Sequence, residues 1–227
     1  CRIAKKDYKR ALVDYEAAVK TQEPILYVPL VQVDFGNLAA LYKLAGQSKL
    51  AADAAHKAKL ETLIRKACDC REVGAVDQAI RLLTVVLKEQ PDFHKARLLR
   101  GITYNNKSDY RLAIKDFDYL VKAFPRNAWF YYLRADASNE LGEKDKSIRD
   151  LLTLTTLNPR PRVVALNYTA QTGRIRERFE GKDENIVNMA DIYCLLGSRY
   201  LDLCKFEQAK AAFDSCLALD KNEVSVR

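Results

Sequence analysis

The sequence predicts an all-α protein, a right-handed α-solenoid of antiparallel helix pairs, and three observations carry that prediction. Pro91, Pro125 and Pro159 recur at a constant spacing of 34 residues. Within one such unit, counted from His94 as position 1, Gly101, Tyr104, Ala113, Phe117 and Pro125 take positions 8, 11, 20, 24 and 32, so small and large residues alternate in a fixed order. The chain holds only 8 Gly and 6 Pro in 227 residues, with 30% charged residues, which suits helices and leaves little room for sheet turns. The order has a steric meaning: Gly101 and Ala113 lack bulk where two helices cross closely, Tyr104 and Phe117 fill the space beside the crossing, and Pro125 cannot continue a helix.

In chain order, Tyr8, Ala11, Tyr15 and Ala18 fit the second half of a unit, which makes residues 1–28 a partial repeat of what reads as a longer array. Residues 29–59 form the next unit, with Ala39, Tyr42 and Ala51 in place and Gly46 in the turn. The following frame opens at Leu60, six residues early, and no Gly or Pro occurs from Ser48 through Arg71. Two readings stand there, one long fused helix or a sharp corner. Units at 60–93, 94–127 and 128–161 follow without insertion. Residues 162–189 break the register with a basic stretch carrying Arg174, Arg176, Arg178 and Lys182, read as an irregular helix with a loop near Gly181. This joint either forms a binding insertion or fills the space between two helical blocks. Residues 190–227 restore the pattern through Tyr193, Leu196, Gly197, Tyr200, Ala209 and Phe213 and open one more frame.

These landmarks resemble the tetratricopeptide repeat. The resemblance implies a stack of helical hairpins that hold other proteins, each hairpin needing neighbours to bury its apolar face. It also implies that positions 2, 5, 9, 12 and 13 of each first helix line a concave groove. Those positions make a candidate partner-binding groove of Ile64, Leu98, Ile102, Asn105, Asn106, Trp129, Tyr132, Asp136 and Asn139, an apolar and aromatic stripe edged by amides and acids. Trp129 is either an aromatic anchor for a bound peptide or helix, or packing between adjacent repeats. Asn105 and Asn106 are suited to hydrogen-bonding a peptide backbone. The resemblance further includes a carboxylate clamp used for chaperone tails, but its positions hold Ile64, Cys68, Leu99, Trp129 and Leu133, so chaperone binding of that kind is not expected.

The formal charge of +8 permits acidic partners, although the cations are spread along every repeat. No continuous basic stripe with interleaved aromatics favours nucleic acid. No stretch is apolar enough for a membrane span. Two His and a lone Cys68-x-Cys70 spacing do not make a zinc site, no cofactor is implied, and the 6 Cys are expected to be reduced and mostly buried. No phosphate loop or catalytic set is legible, and Asp116 and Asp118 lie two apart on a helix and face different directions. The leading expectation is therefore a non-catalytic protein-interaction scaffold in the cytoplasm. Its rival is a component of a cytoskeletal or ciliary microtubule-associated assembly, with the basic joint lying on an acidic surface such as tubulin.

Overall fold

The computed structural model describes residues 8–21, 34–157, 163–164, 186–187 and 189–224. Among these, ten helices run in sequence: α1 (Tyr8–Thr21), α2 (Phe35–Leu44), α3 (Ser48–Glu72), α4 (Val76–Glu89), α5 (His94–Asn106), α6 (Tyr110–Ala123), α7 (Ala128–Glu140), α8 (Lys144–Leu157), α9 (Met189–Asp202) and α10 (Phe206–Val224). Each packs against its neighbours in the chain, which is the contact pattern of a stack of helical hairpins. The α-solenoid of helix pairs is thus the fold.

One choice between readings is decided outright. α3 is a single 25-residue helix, so it serves as the second helix of one hairpin and the first of the next. Ala54 is buried in the cluster formed with Leu38 and Leu41 of α2, while Leu60, Ile64 and Ala67 belong to the cluster formed with α4 and α5. The missing loop residues are what fuse the two roles, since nothing between Ser48 and Arg71 interrupts the backbone hydrogen bonds.

The turns inside the hairpins repeat atom for atom. Gly46, Gly74, Ser108, Gly142 and Cys204, all at position 15 of their units, have φ between 55° and 86°. The next amide then reaches back to the carbonyl five residues earlier: Ala75 to Cys70 at 2.7 Å, Asp109 to Tyr104 at 2.9 Å, Glu143 to Ser138 at 2.8 Å and Lys205 to Tyr200 at 2.9 Å. This closes the orphan carbonyls of the first helix. Ser108 and Cys204 hold the left-handed conformation without glycine's freedom, a cost of roughly 1 to 2 kcal/mol each.

The helix crossings show a matched pair of sizes. Position 8 on the first helix meets position 24 on the second, and the occupants are Ala67 with Leu83, Gly101 with Phe117, Ala135 with Leu151 and Gly197 with Phe213. A methyl group built on Gly101 would lie 2.7 Å from Cε1 of Phe117, and one on Gly197 would lie 2.6 Å from Cε1 of Phe213. Glycine is therefore found where the partner is a phenyl ring, and alanine where it is leucine.

Two expectations are corrected. The joint is expected to be an irregular helix with a loop near Gly181; its described ends are extended instead and form a two-residue antiparallel ladder, β1 (Val163–Val164) with β2 (Ile186–Val187), set beside α7 and α9, while the helix and the loop between them fall on residues outside the described ones. Runs of β-branched residues favour the extended backbone there. Arg174, Arg176, Arg178 and Lys182 lie outside the described residues. Second, the cysteines are not all reduced: Cys194 on α9 and Cys216 on α10 form a disulfide with their Cα atoms 5.8 Å apart. Helix pairing brings positions 5 and 27 of that hairpin within bonding range, which separation along the chain does not reveal. Cys204 is exposed, and Cys68 and Cys70 are half-buried.

Candidate functional site

The first helices α5, α7 and α9, with the second half of α3, supply the candidate groove residues. Ile64, Leu98 and Trp129 are only 2%, 5% and 8% exposed. They do not form an open stripe, and for Trp129 the reading as packing between adjacent repeats is the one its burial matches. Ile64 belongs to the cluster holding Ala96 and Leu99 of α5, and Leu98 to the cluster holding Trp129 and Leu133 of α7. Adjacent first helices lie close enough to sandwich these side chains. Trp129 also stacks on Tyr132, with ring centroids 5.4 Å apart and planes 14° from parallel. Ile102, Asn105, Tyr132, Asp136 and Asn139 are half-buried, and Asn106 is exposed.

What remains at the centre of this layer is polar. Arg71, Asn105 and Asn139 share position 12 of three successive repeats. Asn105 Nδ2 donates to Asp136 Oδ2 at 3.2 Å, tying α5 to α7, and Asn139 Nδ2 donates to Glu140 at 3.0 Å. Next to them, Tyr132, Asp136, Ser147, Leu195 and Arg199 line a shallow cleft between α7, α8 and α9. The buried Oδ1 atoms of Asn105 and Asn139, Ser147 Oγ, Arg199 Nε and Trp129 Nε1 have no hydrogen-bond partner. Of these, Ser147 Oγ and Arg199 Nε share the cleft with the Asp136 carboxyl.

Burial pushes the Asp136 carboxyl above the usual carboxylate range, and nearby Glu140 adds to this, while the Asn105 hydrogen bond and the Arg199 charge pull the other way. The Tyr132 hydroxyl is raised by burial and then by Asp136 and Asp191, with Arg199 opposing. Burial likewise raises the Cys68 thiol, more than the charges of Arg71 and Lys95 lower it, which suits an inert thiol rather than a nucleophile. Among the described residues no group of three His, Cys, Asp or Glu is placed to hold a metal ion.

The acids that sequence reading set aside have a different task. Arg100 grips Asp116 with two bonds of 2.8 Å and reaches Thr84 of the preceding repeat at 3.2 Å. Arg134, 34 residues on, grips Asp150 at 2.8 and 2.6 Å and reaches Asp118 of the preceding repeat at 2.8 Å. Asp116 and Asp118 do face different neighbours. The two forks latch each hairpin internally and to the one before it, so these carboxylates are structural. Sequence reading missed this ladder and missed Arg199. The 34-residue recurrence of Arg100 with Arg134 and of Asp116 with Asp150 was the available signal for the ladder; Arg199 had none, because it lies between landmark residues.

The tetratricopeptide repeat family matches residues 98–159, and it matches again over residues 190–223. Those two stretches carry tetratricopeptide repeats. The repeat register extends beyond both matches, since α3 and α4 carry the same crossing at Ala67 and Leu83. No curated protein matches the chain. Among solved structures it is similar to MamA from Desulfovibrio magneticus RS-1, with a TM-score of 0.55 and 18% identity over 83% of this chain and 94% of that one. MamA MSR-1 gives a TM-score of 0.56 and 19% identity over 85% of this chain and 98% of that one. A crystal structure of MamA at 15% identity gives 0.56 over 83% and 97%. At such identities the fold is what is shared. A tetratricopeptide solenoid is a protein-interaction scaffold, and no helix among the described residues is long and apolar enough to cross a membrane.

Proposed function

We propose that this scaffold takes a polypeptide segment along the face of its first helices, centred on Asn105, Asp136, Asn139 and Arg199. The observation that carries the reading is the polar line in which Asn105 donates to Asp136 at 3.2 Å and Asp136 shares a cleft with Arg199, with Oδ1 of Asn105 and Nε of Arg199 left without a partner. An incoming backbone amide or carbonyl would satisfy these groups after small side-chain rotations, and the two asparagines one repeat apart provide matched donors and acceptors. Ile102 and Tyr132 supply the apolar contact, while Trp129 supports Tyr132 from below. The role is non-catalytic.

Selection of a displayed peptide library on the whole chain tests this. Enriched peptides should bind the parent and lose about tenfold or more in affinity to the Asn105→Ala/Asn139→Ala/Arg199→Ala variant, measured at a temperature where circular dichroism shows that variant fully folded. Peptides that fail to distinguish the two proteins would sink the proposal.

The formal charge of +8 favours a second reading, in which the chain belongs to a cytoplasmic cytoskeletal or ciliary assembly and the joint residues Arg174, Arg176, Arg178 and Lys182 meet an acidic surface such as tubulin. Co-sedimentation with microtubules that charge reversal at those arginines abolishes would support it, and retention in the supernatant would end it.

A further inference from the structure

The second helices α4, α6 and α8 carry an exposed cation in register, Arg81, Lys115 and Arg149, one at position 22 of each of three consecutive repeats. Two turns further on, α4 and α6 add Lys88 and Lys122, also exposed. Between the two cations of each helix sits an apolar side chain left open to solvent, Val85 at 43% exposure and Tyr119 at 36%. Leu152 takes a similar place on α8, 42% exposed and one turn beyond Arg149. α4 and α6 thus repeat a pattern of cation, apolar residue, cation, of which α8 carries the first two members.

Arg81 feels the charge of Asp77 four residues before it, but the cations of this face are not in ion pairs. Five of the six carboxylates of α4, α6 and α8 are in ion pairs: Asp77 with Lys107 at 2.9 Å, Asp116 with Arg97 and Arg100, Asp118 with Arg134 and Lys146, Asp145 with Lys205 at 3.3 Å and Asp150 with Arg134; the sixth, Glu89, lies 3.7 Å from the His56 imidazole, an ion pair only when that ring is protonated. None of Arg81, Lys88, Lys115, Lys122 or Arg149 has a described carboxylate within ion-pair distance. Lys95 pairs across elements with Glu61 at 2.9 Å and Lys205 with Asp145 at 3.3 Å. Five free cations held at fixed spacing on rigid helices make a standing positive field whose reach at physiological salt is about 8 Å, comparable to the separation of packed helices.

We propose that the outer layer of α4, α6 and α8 is a second docking surface, for an acidic polypeptide segment whose carboxylates straddle apolar side chains. The occupant follows from complementarity: a three-member and a two-member cation row ask for carboxylates in two rows, and Val85 and the face of Tyr119 not covered by Arg97 between the rows, with Leu152 beside Arg149, ask for apolar contacts that a bare polyanion lacks. The surface is separate from the first-helix cluster, so the chain joins two partners or two parts of one. It rests on none of the residues invoked for that site.

The test uses the whole chain and a fluorescein-labelled synthetic peptide of glutamates interrupted by leucines, followed by anisotropy at about 0.1 M salt. The Arg81→Glu/Lys115→Glu/Arg149→Glu variant should bind roughly tenfold or more weakly, because three attractions become repulsions. A control of equal net charge, Arg65→Glu/Lys66→Glu/Lys210→Glu, alters exposed cations elsewhere and should change affinity less than about threefold. All of these positions are solvent-facing, so circular dichroism melts should be unchanged and confirm folding. Val85→Ser should weaken the peptide by a factor that survives at higher salt. Equal losses in the two charge variants would overturn the proposal, leaving only non-specific attraction. Duplex DNA or anionic phosphatidylserine vesicles that bind more tightly than the peptide, without dependence on Val85, would overturn it in favour of a polyanion. The Asn105→Ala/Asn139→Ala/Arg199→Ala protein should bind this peptide as the parent does, which separates failure here from failure of the first-helix site.

Discussion

The pairing of residue sizes at the helix crossings can be tested by rewriting one repeat in the terms of its neighbours. Gly101→Ala places a methyl 2.7 Å from Cε1 of Phe117 and 3.2 Å from Cβ of Asp116, so something must move by about 0.7 Å to restore ordinary contact. Phe117 is fully buried and Asp116 is held by two arginines, so neither yields freely. Overpacking of this kind costs about 1 to 3 kcal/mol, and the gain from replacing glycine within a helix offsets about 1 kcal/mol. Phe117→Leu alone leaves a gap beside the glycine, at a cost of roughly 1 to 2 kcal/mol. The double variant recreates the Ala–Leu pair present at Ala67 with Leu83 and at Ala135 with Leu151. It should be more stable than the sum of the single effects by about 1 kcal/mol, within the usual range for residues in contact. Urea unfolding followed by far-ultraviolet circular dichroism, at constant m-value, measures all four corners of the cycle. Additivity within about 0.5 kcal/mol would refute the reasoning, since the two sites would then not share a steric constraint.

Other consequences follow from the burial and backbone geometry. Trp129→Ala should cost roughly 3 to 5 kcal/mol of stability in the same denaturation assay, because the ring lies in the cluster with Leu133 and Phe130; an unchanged midpoint would mean it is not core. Ser108→Gly and Cys204→Gly should each stabilise by up to about 1 kcal/mol, as the left-handed turn ceases to strain a side chain, and a loss of stability in both would argue against that conformation. Asp136 has a folded pKa raised by burial, so the folded state holds its proton more tightly than the unfolded chain does. Its ionisation therefore lowers stability as pH rises from the unfolded carboxylate range through the folded value, and Asp136→Asn should flatten that part of the stability-against-pH curve. A variant curve parallel to that of the parent would contradict this.

The sequence by itself determined the solenoid, because its main constraints recur within each helical hairpin. A crossing needs a small residue at Gly101 or Ala135 sixteen positions before a large one, and a tight turn needs position 15 in the left-handed region. These demands repeat every 34 residues and stay visible without coordinates. Tertiary structure decided what depends on neighbouring hairpins. Whether Ile64, Leu98 and Trp129 face solvent or the next first helix depends on how closely the helices stack, and they stack closely enough to bury all three. Arg134 reaches back to Asp118 of the preceding repeat, Cys194 meets Cys216 across a hairpin, and α3 runs unbroken through two repeats. The first two of these pairings join residues well apart in the chain, whose meeting is set by helix spacing and side-chain direction rather than by local propensity. The same dependence sets Asn105 against Asp136 across two repeats and puts Asp136 in one cleft with Arg199, a meeting that only the packed stack brings about.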